Sequence, residues 1–256
     1  MPPIRLYIWP DRFWFSTPSL STGPSRRHAV TILYALSGRA IRLECSNGTR
    51  IESPAILVGP NVERTLDASD CELLSFNLDP TSYEYHALSR MLNRTEASSL
   101  NVESFESLRP RLCDFYAGQT AGGEAYRLFN EFVRAIGVYR PPNLVVDLRV
   151  LHVAHRVMAE LPLTHTVAEL ATNVGISSDH LRHLFAKNLG VSLKSYMLWA
   201  KMRRAALLFP TGASLTDVAQ SVGFADSAHL SRTFKAYFGL MPSFLSDPRY
   251  VQVVDC

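Results

Sequence analysis

The sequence predicts an α+β chain in two domains, a β-barrel or β-sandwich followed by helices and then an all-α domain. Three observations predict it. Short apolar runs alternate with turn residues over the first 80 residues, helical periodicity follows, and the C-terminal part contains an internal repeat. A length of 256 residues also exceeds the usual size of a single core.

The runs His28–Leu36, Ala40–Cys45, Ala55–Val58 and Glu72–Leu78 are rich in Ile, Leu, Val and Phe. Between them lie Ser37-Gly38, Asn47-Gly48, Gly59-Pro60 and Ala68-Ser69-Asp70, whose residue types favour turns. Short strands at this spacing suit an antiparallel barrel or sandwich. Met1–Arg27, with its aromatics and prolines, has room for another strand or two. From Thr81 the period becomes helical over Tyr83–Leu92 and Gly123–Tyr139, where Phe129, Phe132, Val133 and Ile136 share a face. Arg140-Pro141-Pro142-Asn143 breaks the pattern, because each proline also restricts the residue before it. This places a linker at 141–146, between a domain at 1–140 and another at 147–250. Helices are expected over Leu144–Leu161, Val167–Val174, Ser178–Leu189, Leu193–Phe209, Leu215–Val222 and Ser227–Phe238, with a last one from Pro242.

With 47% hydrophobic and 19% charged residues the chain is globular in composition, and its net charge of +3 is unevenly spread. Residues 1–146 balance 15 Arg against 15 Asp and Glu, whereas 166–240 hold eight Lys and Arg against four acids. All four lysines fall in that window, a local excess that suits a polyanion. Cys45, Cys71, Cys113 and Cys256 form no CxxC pair and read as thiols in a reducing cytoplasm. Pro10, Asp11 and Arg12 interrupt any signal-peptide core, and no apolar run approaches membrane-spanning length. The expectation is a soluble, cytoplasmic protein without membrane contact.

The repeat is the most specific feature. T-V-A-E-L-A-T-N-V-G from Thr166 to Gly175 matches S-L-T-D-V-A-Q-S-V-G from Ser214 to Gly223, at an offset of 48. L-R-H-L-F-A-K-N-L-G from Leu181 matches L-S-R-T-F-K-A-Y-F-G from Leu230, at an offset of 49. Each copy reads as a short helix, a tight turn and a longer helix. Thr166 and Ser214 suit N-caps, with Glu169 and Asp217 three residues on as in a capping box. Ala171 and Ala219 let two helices cross closely. Gly175 and Gly223 suit the left-handed helix end, and Ser177 and Asp226 can cap the second helix. Leu181, Leu184, Phe185 and Leu189 form one apolar stripe; Leu230, Phe234 and Phe238 form its counterpart. The opposite faces are polar or basic, the division a helix-turn-helix needs to pack inward while reading a groove.

This block, over about residues 146–247, resembles the DNA-binding domain of the AraC/XylS family of bacterial transcription regulators. The resemblance rests on Val218, Ala219, Val222, Gly223 and Phe224, on H-L-S-R-x-F-K from His229 to Lys235, and on the following F-G and Pro242. Lys201, Arg203, Ala205, Leu207 and Leu208 resemble the family's long connecting helix. The resemblance implies a sequence-specific regulator whose two recognition helices, about 178–189 and 227–238, enter successive major grooves of double-stranded DNA. It also implies that residues 1–140 form a cupin-like domain that binds a small effector and makes a homodimer. RNA polymerase would be a further partner of an activator.

On this reading the base-contacting candidates are Asp179, Arg182 and His183 in the first unit and Ser227, Ala228, His229 and Arg232 in the second. Arginine suits the guanine edge, an acid suits only cytosine N4, and Ala228 offers no more than a methyl contact. Ser178, Lys187, Lys194, Thr233 and Lys235 are phosphate candidates, which position a protein without reading sequence. His180 and His229 lack partners at ligand spacing, so no metal is expected. Before the linker only His28 and His86 are available, too few for a metal cluster, and no G-x-S-x-G is present. Neither catalysis nor a cofactor is therefore expected. Arg26, Arg27, His28, Tyr34, Arg39 and Arg42 are candidates to meet an anionic effector, the alternative being a solvated basic edge.

Overall fold

A computed structural model describes residues 4–93, 95–137, 146–160, 165–245 and 251–255. It divides into two compact units, Met1–Pro142 with Phe234–Cys256, and Asn143–Thr233. Most of the expected linker, residues 141–145, lies outside the described residues, as do Tyr139, Leu144 and Leu161 at the ends of expected helices.

The first unit is built on two sheets. One carries seven strands in the order β10 (Ala97–Ser99), β7 (Ala55–Val58), β4 (Val30–Ala35), β9 (Leu73–Leu78), β2 (Arg12–Thr17), β1 (Ile4–Trp9) and β11 (Val251–Asp255). The other carries β3 (Leu20–Arg26), β8 (Glu63–Ala68), β5 (Ile41–Cys45) and β6 (Arg50–Ser53) in that order. Pairing is antiparallel throughout except for β1 with β11, where Ile4 faces Val251 and Ile8 faces Asp255.

Alternation of side chains along each strand explains why the larger sheet is buried on both faces. On β4, Val30, Ile32 and Tyr34 join one apolar cluster, while Leu33 and Ala35 join another. The first cluster lies under the helices α1 (Tyr83–Met91), α2 (Arg109–Ala117) and α3 (Gly122–Ala135), with Phe76 stacked on Phe132 at 4.0 Å. The second fills the space between the sheets with Ile41, Leu43, Val58, Leu66 and Leu73. Burying an aromatic or aliphatic side chain of this size contributes about 1.5–3 kcal/mol.

Several elements differ from the sequence expectation. Met1–Arg27 supplies three strands instead of one or two. Strands β6 and β8 and helix α2 were not expected. The β8 segment E-R-T-L-D-A is mostly polar, and α2 follows a 3-10 stretch, Val102–Leu108, and carries a proline in its first turn. The helix expected from Pro242 is a three-residue 3-10 turn, Pro242–Phe244; the chain ends in β11, whose Val-rich sequence favours a strand.

The second unit is helical, with α4 (Leu148–Ala159), α5 (Val167–Asn173), α6 (Ser178–Leu189), α7 (Leu193–Leu208), α8 (Leu215–Ser221) and the start of α9 (Ser227–Phe238). Helices α6 and α9 have the expected bounds. No helix among the described residues is long and apolar enough to cross a membrane.

Candidate nucleic-acid interface

The two repeats form two helix-turn-helix units, α5–α6 and α8–α9, with the same local chemistry. At the start of α5 the Thr166 hydroxyl accepts from Glu169 N at 3.2 Å, and Glu169 Oε2 accepts from Thr166 N at 2.7 Å. These hydrogen bonds hold the Glu169 carboxyl below its ordinary range. Ser214 accepts from Asp217 N at 3.1 Å and donates to Asp217 Oδ2 at 2.7 Å. Both turns then use a left-handed glycine, Gly175 at φ +69° and Gly223 at φ +77°. Across the turns Ile176 N donates to Ala171 O at 3.1 Å and Phe224 N to Ala219 O at 2.8 Å, satisfying carbonyls at the helix ends. The long helices start on the expected caps: Ser177 Oγ accepts from His180 N at 3.2 Å, and Asp226 Oδ1 from His229 N at 2.6 Å.

Inward, Leu181, Phe185 and Leu189 of α6 and Leu230 and Phe234 of α9 are buried. The connecting helix α7 buries Leu193, Tyr196, Trp199, Ala200, Met202, Ala205 and Ala206, and Tyr196 meets Phe185 at 5.3 Å. Lys201 has a role beyond charge. Its Nζ donates to Gly223 O at 2.6 Å and lies 5.6 Å from the centre of the Phe224 ring, bracing the second turn. Burial lowers its pKa.

Outward, Asp179, Arg182, His183 and Lys187 are exposed on α6, and Ala228, His229, Arg232 and Lys235 are exposed on α9. Ser178, Ser227 and Thr233 are half-buried at the edges of these faces, and Lys194 is exposed on α7. Within α6, Asp179 Oδ1 accepts from Arg182 Nη1 at 2.7 Å. Among the described residues Arg232 has no ion pair. His229 packs edge-on against Phe224 at 5.1 Å.

The effector candidates do not converge. Arg26, Arg39 and Arg42 are exposed; Arg39 donates to Asp70 O at 2.9 Å, and Arg42 pairs with Asp67 at 3.1 Å. Tyr34 lies in the apolar cluster under the helices. Arg27 is buried, and His28 is half-buried between Asn61 Oδ1 at 2.5 Å and Tyr237 Oη at 2.9 Å. Burial lowers the pKa of His28. Sequence reasoning passed over Arg64, which is buried near Thr31 and Asn77. Its signal was the alternation along β8, where Arg64, Leu66 and Ala68 take the inward positions.

Residues 170–246 match the model of a helix-turn-helix domain. Similar proteins include the Msm operon regulatory protein of Streptococcus mutans, 36% identical over 78 residues, which are 30% of this chain and 28% of that protein. The arabinose operon regulatory protein of Salmonella typhimurium is 33% identical over 100 residues, 38% of this chain and 36% of that protein. The chain therefore spans only 28% and 36% of the length of these two relatives. Residues 170–246 are thus a helix-turn-helix domain similar to part of these regulatory proteins.

Among solved structures, an apo variant of ToxT from Vibrio cholerae aligns with a TM-score of 0.62 at 12% identity, covering 91% of this chain and 96% of that one. Wild-type ToxT with an unsaturated fatty acid bound aligns with a TM-score of 0.58 at 13% identity, covering 91% and 93%. At this identity the likeness establishes the fold: a β-rich N-terminal part and a helical C-terminal part with helix-turn-helix units.

Proposed function

We propose that this protein is a sequence-specific DNA-binding transcription regulator, whose recognition helices α6 and α9 each present an arginine to the major groove. The observation that carries the reading is the doubled helix-turn-helix, capped at matching positions, with one exposed arginine per long helix, Arg182 and Arg232. Asp179, His183, Ser227, Ala228 and His229 complete the base-facing set, while Ser178, Lys187, Lys194, Thr233 and Lys235 contact phosphates. DNA binding belongs to residues 147–250 and control to residues 1–140.

Control is exerted by a small effector bound in the β-sandwich, a cupin-like domain that also makes the homodimer. Support for the effector comes from fold alone, since ToxT of the same fold is described with a fatty acid bound. The protein acts in the cytoplasm, without an enzymatic activity of its own, and meets RNA polymerase where it activates. The deciding experiment is footprinting of the purified protein on DNA upstream of its own gene across a salt series. A protected site that survives competitor DNA is expected. Binding without sequence preference, lost uniformly as salt rises, refutes the reading.

A further inference from the structure

The interior of the β-sandwich holds two buried arginines that make no ion pair among the described residues. Arg27, in the turn between β3 and β4, and Arg64, on β8, are each 4% exposed. Both lie on one hydrogen-bonded track. Arg64 Nη2 donates to Thr31 Oγ1 at 3.2 Å, and Thr31 Oγ1 donates to Asn77 Oδ1 at 3.0 Å. Arg27 Nη1 donates to the same Asn77 oxygen at 3.3 Å, and Arg64 Nη1 donates to Val62 O at 3.1 Å. Asn77 spends its NH2 group on Ser75, at 3.1 Å to both O and Oγ.

Every acceptor on this track is neutral. Among the described residues neither guanidinium has a carboxylate partner, and Arg27 Nε is buried without any hydrogen-bond partner. The Phe238 ring lies 5.6 Å from the Arg27 guanidinium carbon, giving the group an aromatic face but no counter-charge.

A guanidinium does not escape this situation by losing its proton under ordinary conditions. Burial pushes the pKa of Arg64 down to about 10 and that of Arg27 down too, and the charge of Arg64 lowers Arg27 further. A buried charge is normally paired. The planar fork of arginine matches a carboxylate through two parallel hydrogen bonds, and Arg27 has donor capacity to spare. Leu33, Val62 and Leu66, each two residues along the chain from Thr31 or Arg64, belong to the apolar cluster between the sheets. That combination favours an anionic head on an apolar body.

We infer that Arg27 and Arg64, with Thr31 and Asn77 between them, form a binding site for the carboxylate of a small apolar acid. The site rests on the reading of the first unit as an effector domain and supplies the chemical class of the effector.

The test uses the full-length protein in calorimetric titration and thermal melts with octanoate and benzoate, with octanol and benzamide as neutral counterparts and inorganic phosphate as a third arm. Saturable binding of a carboxylate but not of its neutral counterpart is expected, weakened tenfold or more by Arg27→Gln or Arg64→Gln. Binding of phosphate alone, or carboxylate binding indifferent to both substitutions, overturns the assignment, as does no saturable binding by either acid. Should those variants fail to fold, Arg27→Lys keeps the charge but not the fork. It should weaken carboxylate binding several-fold; unchanged affinity refutes the site. DNA affinity, measured in parallel, separates the two readings. Carboxylate binding that leaves DNA affinity unchanged keeps the site and removes effector control; specific DNA binding with no response to any acid removes the site and keeps the regulator.

Discussion

The two helix-turn-helix units are built alike and armed differently. Both long helices span 12 residues, begin on a side-chain cap and bury two matched positions, Leu181 and Phe185 in one and Leu230 and Phe234 in the other. On α6, however, the exposed arginine is tied to an acid one turn earlier, Asp179, whereas on α9 the aligned stretch carries Arg232 without an ion pair among the described residues. The side chains of Asp179 and Arg182 are 87% and 55% exposed, so their pair contributes at most about 1 kcal/mol. The difference teaches that scaffold and readout are separable. Packing and capping dictate where the helix stands, and on the proposed function single exposed side chains then decide what it reads.

The largest effect should come from breaking the shared scaffold. Phe185→Ala removes a fully buried ring that meets Tyr196, and a loss of about 3–5 kcal/mol is expected in urea unfolding of the protein. If the units are as alike as their burial indicates, Leu230→Ala should cost about 2–5 kcal/mol by the same route. A loss under 1 kcal/mol for Leu230→Ala alone would show that the second copy does not carry its own core.

Next in size is the readout. Arg232→Ala should cost about 1–3 kcal/mol of affinity, confined to particular base pairs in a site-saturation binding assay. Arg182→Ala should cost less, because part of its reach is already spent on Asp179. Asp179→Asn sharpens the contrast: with the acid gone, binding should tighten a few-fold on all sequences while discrimination under α6 weakens. Equal losses for the two arginines, with no effect of Asp179→Asn, would erase the distinction.

How far the sequence reveals this molecule also differs between the regions. Helices α6 and α9 are legible to the residue because Ser177, Asp226, Gly190 and Gly239 punctuate them and the repeat supplies an internal control. The sandwich is less legible. Strand β8 alternates, but an arginine stands in its inward set, so charge argues against the assignment that geometry makes. Strand β11 pairs with β1 from the opposite end of the chain, a partner no local pattern identifies. The effector candidates share a stretch of sequence, yet alternation sends Arg42 to solvent and Tyr34 under the helices, leaving Arg27 to meet Arg64 in the interior. Local chemistry is read from neighbours in sequence, whereas a site between two sheets depends on register.

Caps come third in size. Ser177→Ala and Asp226→Ala each remove an acceptor for one of the free N–H groups at the start of a recognition helix, and each should cost about 1 kcal/mol in urea unfolding. If the second helix were held mainly by contacts beyond its cap, Asp226→Ala would fall well short of Ser177→Ala.

The smallest expected effect is also the most selective, because it concerns the acid that closes the first capping box. Glu169 accepts from Thr166 N and from the Thr166 hydroxyl, and those bonds lower its folded pKa beneath the ordinary value of 4.5. The sign follows by linkage: a carboxyl with a depressed folded pKa contributes stability that is fully present above its unfolded value. That contribution is lost as pH falls through the folded value. Asp147 and Glu160, also held low by hydrogen bonds from Arg149 and Arg156, lose stability in the same direction, so the wild-type curve alone does not isolate Glu169. Glu169→Gln does. Glutamine still accepts from the Thr166 N–H but does not titrate, so the stability difference between variant and wild type in urea unfolding should shrink between pH 7 and pH 3. A difference that stays constant across that range would mean the box holds by shape and not by charge.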